Sequence, residues 1–103
     1  MLVLGVAYKA DIGDMRESPA LKIIQLLQNA GSDVSYHDPH VSELPELGLT
    51  SAELDPGAYD CVVIVTAHSS IDYEGLVAAA QLVVDLRNAT GRNGSQNGKV
   101  FKL

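Results

Sequence analysis

The chain has one cysteine, few basic residues, no G-x-G-x-x-G and no apolar run near the roughly 20 residues that a membrane-spanning helix needs. Each scarcity excludes something. A single Cys61 cannot staple the domain, and its setting in Asp60-Cys61-Val62-Val63-Ile64-Val65 marks a packed small hydrophobe rather than a nucleophile. The short apolar runs exclude a helical membrane span. No basic segment followed by an apolar signal core opens the sequence, which favours a cytoplasmic setting, and Met1 leading straight into a core strand is what a fragment would show. Seven Lys and Arg are scattered among thirteen Asp and Glu, so the net charge of −6 argues against nucleic acid and membrane surfaces, which need clustered cations. The missing glycine fingerprint argues against a complete dinucleotide site within this chain.

What is present organises itself around Leu2 to Gly31. The run Leu2-Val3-Leu4-Gly5-Val6-Ala7 is too short for a globular helix and predicts a strand buried on both faces. A polar loop with Tyr8, Lys9, Asp11, Asp14 and Arg16 follows at once. Ser18 as N-cap, Pro19 at the first helical position and Gly31 past the end then predict a helix, with Ala20, Ile23, Ile24 and Leu27 on one face. Alternation in Asp33-Val34-Ser35-Tyr36-His37, stopped by Asp38-Pro39, predicts a second strand.

Residues 40–59 predict an irregular connection, because Pro45, Gly48, Pro56 and Gly57 interrupt any long element, although Val41, Leu44, Leu47 and Leu49 could form a short helical turn. Cys61 to Thr66 is the clearest central strand. A short helix capped by Asp72 or Ser70 should follow, then a strand Leu82-Val83-Val84-Asp85 that delivers Leu86-Arg87-Asn88. Residues 88–98 are rich in Gly and Asn and predict a flexible loop, with Val100, Phe101 and Leu103 adding an edge strand. The 103 residues thus predict one domain: a small Rossmann-like, doubly wound α/β sheet of four to five mainly parallel strands.

In that arrangement the strand ends bring Lys9, Asp38, His68 and Arg87 to one rim. A Lys and an Arg facing one crevice make an anion site: Arg offers a fork for phosphate or carboxylate, Lys a point charge. The alternative reading, that Lys9 and Arg16 merely balance Asp11, Asp14 and Glu17 on a solvated loop, stays open. No acidic or histidine pair has ligand spacing on a defined element, so no metal is expected. His37 and His40 read as structural, and His68 as solvated or bonded to backbone. Asn88-Ala89-Thr90 fits the glycosylation pattern by chance.

The segments VLGVAYKADIGDMRESPALKIIQLLQNAGSDVSYHDPHV, CVVIVTAHSSIDY and VVDLRN together resemble the carboxyl-terminal, UDP-binding domain of the UDP-glucose/GDP-mannose dehydrogenase family. The combination G-x-A-[YF]-K, D-x-R-x-S-P-A, Y-x-D-P and D-x-R-N, in that order, carries the likeness over about residues 2 to 90, and is most similar to the bacterial branch acting on UDP-N-acetylhexosamines. Family members use NAD to oxidise the C6 hydroxyl of a nucleotide sugar to a carboxylate in two steps, through a thioester on a catalytic cysteine. The resemblance implies that Tyr8, Lys9 and Arg87 contact a UDP-sugar and that Arg16 reaches NAD at a domain interface. Absent from the chain are the NAD-binding Rossmann domain, the dimerising central helix and the segment with the nucleophilic cysteine, so no catalytic residue is expected in it. The expected partners are the UDP-sugar, the remaining domains and a second subunit of a homodimer, in polysaccharide biosynthesis. A non-enzymatic α/β interaction module, such as a receiver-like signalling domain, is the alternative.

Overall fold

In the computed structural model, residues 1–7, 19–45, 47–87, 89–90 and 100–102 are described. The sheet has five strands in the order β2-β1-β5-β6-β7, with β1 at Leu2–Leu4, β2 at Ser35–His37, β5 at Val62–Ile64, β6 at Val83–Asp85 and β7 at Val100–Lys102. Every pairing is parallel: Leu2 faces Ser35 on one side and Val62 on the other, Val62 faces Val83, and Val83 faces Val100. β1 and β5 are buried throughout, as a parallel sheet covered on both faces requires. The two faces segregate cleanly. Val3, Tyr36 and Val63 share a cluster with Ala20 and Ile24 of helix α1 (Pro19–Asn29), whereas Leu2, Leu4, Val62 and Ile64 share the other with Leu76 and Val77 of helix α2 (Tyr73–Ala79).

Local chemistry accounts for the element ends. The apolar run that predicts a strand to Ala7 leaves the ladder after Leu4, because Gly5 takes a left-handed φ of 82°. Two constraints require glycine there: that φ, and a Cβ that would collide with the Thr66 carbonyl and lie 2.7 Å from the Thr66 Cβ. α1 ends as its sequence predicts, with Gly31 at φ 95°, its N–H bonded to the Gln28 carbonyl and the Ser32 N–H to the Leu27 carbonyl. Of the two candidate caps for α2, Asp72 serves, accepting the Gly75 N–H at 3.1 Å. Ser18 lies outside the described residues, as do Asn88 and 91–98 of the expected loop.

The connection between β2 and β5 departs from expectation. Rather than a helical turn it holds a small antiparallel hairpin, β3 (Glu43–Leu44) and β4 (Leu49–Thr50), followed by a 3₁₀ turn at Pro56–Ala58. The arms are two residues each, too short to show a period of two in the sequence. Leu44 faces Leu49 in the register, and both pack on the α1 side of the core. Beyond β4 the chain lies along β2: the Ala52 N–H reaches the Tyr36 carbonyl at 2.8 Å, and His37 Nδ1 is 2.7 Å from the Ala52 carbonyl. An edge that would otherwise expose unpaired backbone groups is thereby covered.

Candidate nucleotide-sugar site

Parallel strands send their carboxyl ends to one rim. Chain direction splits there: from β1 it continues outward to β2, and from β5 it continues the opposite way to β6 and β7. The helices that follow β1 and β5 accordingly pack on opposite faces. The ends of β1 and β5 are therefore the switch point of the sheet, the position where open α/β sheets receive ligands.

Asp38 occupies the floor of that rim. It follows β2, is 2% exposed, and its carboxylate accepts four hydrogen bonds: Val6 N–H at 2.8 Å, Ala7 N–H at 3.1 Å and His68 Nε2 at 2.9 Å on Oδ2, and His40 N–H at 2.8 Å on Oδ1. Burial pushes the Asp38 pKa up. The bonds from His68, Val6, His40 and Ala7 outweigh that effect and hold the carboxyl below its ordinary range. An ionised carboxylate only accepts, so the His68 Nε2 carries a proton toward it. Ser51 adds a hydroxyl that accepts the Asp38 N–H at 3.0 Å. The Thr66 hydroxyl bonds to the Ala7 carbonyl, so the ends of β1, β2 and β5 are laced together.

A second buried carboxylate shapes the β6 end. Asp85 is fully buried; Oδ1 accepts the N–H groups of Arg87 and Ala89, each at 3.0 Å, and Oδ2 accepts the Thr90 N–H at 2.9 Å and the Thr90 hydroxyl at 2.7 Å. Burial again raises the pKa, and the bonds from Thr90, Ala89 and Arg87 bring it below the ordinary carboxylate range. Among the described residues, this turn uses the backbone N–H of Arg87, whose residue is exposed on the rim. β6 lies two strands from β1, so Arg87 stands about 10 Å along the rim from the β1 end.

Of the residues singled out in the sequence, the structure brings Asp38 and His68 into contact and puts Arg87 on the same rim. Tyr8, Lys9, Asp11, Asp14 and Arg16 lie outside the described residues. One reading is corrected: His68 is 1% exposed and bonded to a carboxylate, rather than solvated or held by backbone alone. It also lies against the His40 ring, with centroids 4.6 Å apart. The reading of His37 and His40 as structural agrees with their bonds. Neither aspartate stood out as a multiple acceptor. Asp at a strand end before a turn is the available signal for Asp85, but nothing local pairs residue 38 with residue 68. Among the described residues, no group of three His, Cys, Asp or Glu could hold a metal ion.

Residues 2–92 match the UDP-glucose/GDP-mannose dehydrogenase family, UDP binding domain. The chain belongs to this family. Among its relatives, the UDP-N-acetyl-D-mannosamine dehydrogenase of Methanococcus vannielii is 32% identical over 99 residues, covering 88% of this chain and 23% of that protein. The UDP-glucose 6-dehydrogenase of Rhizobium meliloti is 33% identical over 97 residues, covering 84% and 21%. A solved structure of the UDP-N-acetyl-mannosamine dehydrogenase of S. aureus superposes with a TM-score of 0.70 at 26% identity, over 98% of this chain and 25% of that one. The chain thus spans a quarter or less of the length of these relatives. Their names are those of dehydrogenases, which gives the receiver-like alternative no support. Within this UDP-binding domain, Cys61 is a buried core residue whose thiol pKa is raised, chiefly by desolvation, the opposite of what a nucleophile needs. Among the described residues no helix is long and apolar enough to cross a membrane.

Proposed function

We propose that residues 1–103 form the nucleotide-sugar-binding domain of an NAD-dependent UDP-sugar 6-dehydrogenase, with the UDP moiety seated over the ends of β1, β5 and β6. The observation that carries this is the reversal of strand order between β1 and β5, the chain passing from β1 to β2 on one side and from β5 to β6 on the other, with Arg87 exposed on the same rim. Arg87 supplies a fork for phosphate oxygens, and Tyr8 and Lys9, which continue from the buried end of β1, contact the UDP-sugar beside it. Arg16 reaches NAD at an interface with a further domain. The two-step oxidation of the C6 hydroxyl needs a hydride acceptor and a nucleophilic cysteine. Both belong to other parts of the parent enzyme, in line with the burial of Cys61 and with the carboxylate already bonded to the amides that follow β1. The parent enzyme is a cytoplasmic homodimer of polysaccharide biosynthesis.

Titration of the 103-residue chain with UDP, followed by amide NMR, tests the site. Saturable shifts at Arg87 and at the residues following Ala7 are expected, in the millimolar range, because the rest of the ligand lacks its other domains. Unchanged spectra at millimolar UDP would sink the assignment.

A further inference from the structure

The donors at the end of β1 form a cradle. The N–H groups of Val6 and Ala7, consecutive in the chain and following a left-handed glycine, turn toward one oxygen, with His68 Nε2 on the same oxygen and the His40 N–H on its partner. Successive backbone N–H groups converging in this way make an anion-binding concavity of the kind that holds phosphate. Here the anion is part of the chain: the carboxylate of Asp38, arriving from the neighbouring strand β2.

We propose that Asp38 is a selectivity residue, a tethered anion that fills the backbone cradle at the end of β1 and so excludes phosphate from those amides. A ligand's phosphates must then be met by side chains farther along the rim. Geometry supports this in three ways. The carboxylate is 2% exposed and its position is fixed by bonds from three chain segments, so a free anion has no room beside it. Tethering gives it an effective concentration that a dissolved anion does not match. A phosphate brought against the same amides would also face an ionised carboxylate at short range, a repulsion that the low local dielectric magnifies. The inference is independent of the nucleotide-sugar reading, since it concerns a place where no ligand phosphate sits, whatever the ligand.

The test uses the 103-residue chain and its Asp38→Ala variant, which removes the carboxylate and keeps the donors. Formate and inorganic phosphate serve as probes, read by the Val6 and Ala7 amide resonances and by Tm. In the wild type neither anion should move these amides. In Asp38→Ala both should move them saturably and raise Tm, with an apparent affinity about tenfold or more above the wild type, the factor for one charge-assisted hydrogen bond. Should the variant be unfolded in anion-free buffer, recovery of its native spectrum in formate is the supporting result. Failure of either anion to bind or restore the variant overturns the proposal. So does saturable movement of the wild-type Val6 and Ala7 amides by inorganic phosphate, a measurement that needs no variant. UDP shifts at Arg87 are read separately, so either idea can fail while the other stands.

Discussion

His68 Nε2 lies 2.9 Å from Oδ2 of Asp38, thirty residues away in sequence, and the two meet across the end of the strand that separates their own. β2 and β5 flank β1, and the turn at Gly5 opens the space in which their following residues touch. This contact fixes the backbone from which the candidate ligand loop departs.

Breaking that contact from the histidine side should be costly. His68→Ala leaves a buried carboxylate short of a donor and opens a gap against the His40 ring, so a loss of roughly 3 kcal/mol or more is expected. Urea unfolding followed by circular dichroism measures it. A loss under about 1 kcal/mol would show that the pair contributes little.

Stability should fall toward acid pH. Asp38 and Asp85 both have folded pKa values below the ordinary one, so the unfolded chain binds more protons as pH drops. Their contribution is complete above the unfolded value of about 3.9 and is lost as pH falls through the depressed folded values. Denaturation midpoints from pH 7 to pH 2 should therefore hold steady and then decline below about pH 4. Asp85→Asn should start lower at neutral pH and decline less steeply.

Gly5→Ala should disrupt the domain while leaving its surface chemistry untouched. A left-handed φ costs an alanine about 1–2 kcal/mol, and the collision with Thr66 adds to this because backbone is what it meets. A drop in Tm of at least several degrees is expected. Gly31→Ala provides the control: its φ is also positive, but a Cβ there meets nothing within 4 Å, so its loss should be the smaller.

Arg87→Ala should separate binding from folding. The Asp85 turn uses the Arg87 N–H, which alanine retains, so unfolding should shift by under about 0.5 kcal/mol. UDP affinity should drop about tenfold or more if the guanidinium meets phosphate. In the intact enzyme, loss of Arg87 or Lys9 should chiefly raise the KM for the nucleotide sugar, whereas Arg16→Ala should act through NAD. Equal kinetics for all three variants would retire the site.

Much of this could be read before any coordinates. The runs around Val3, Val63 and Val84, and the capping residues Pro19, Gly31 and Asp72, are local signals, and local signals place helices and strands. The motif order from Gly5 to Arg87 carried the family likeness, and Cys61 announced its burial by its neighbours. The β3–β4 hairpin escaped notice because two-residue arms leave no period to detect.

By itself the sequence determined the order of the two helices and the five strands of the main sheet, the two-sided core and the membership that its motifs record, because each depends on residues close together in the chain. Tertiary structure alone decided that Asp38 would meet His68 and fill the amides of Val6 and Ala7. That outcome depends on which strands flank β1, and strand order arises from packing three separated segments into one sheet, a relationship that no local spacing encodes.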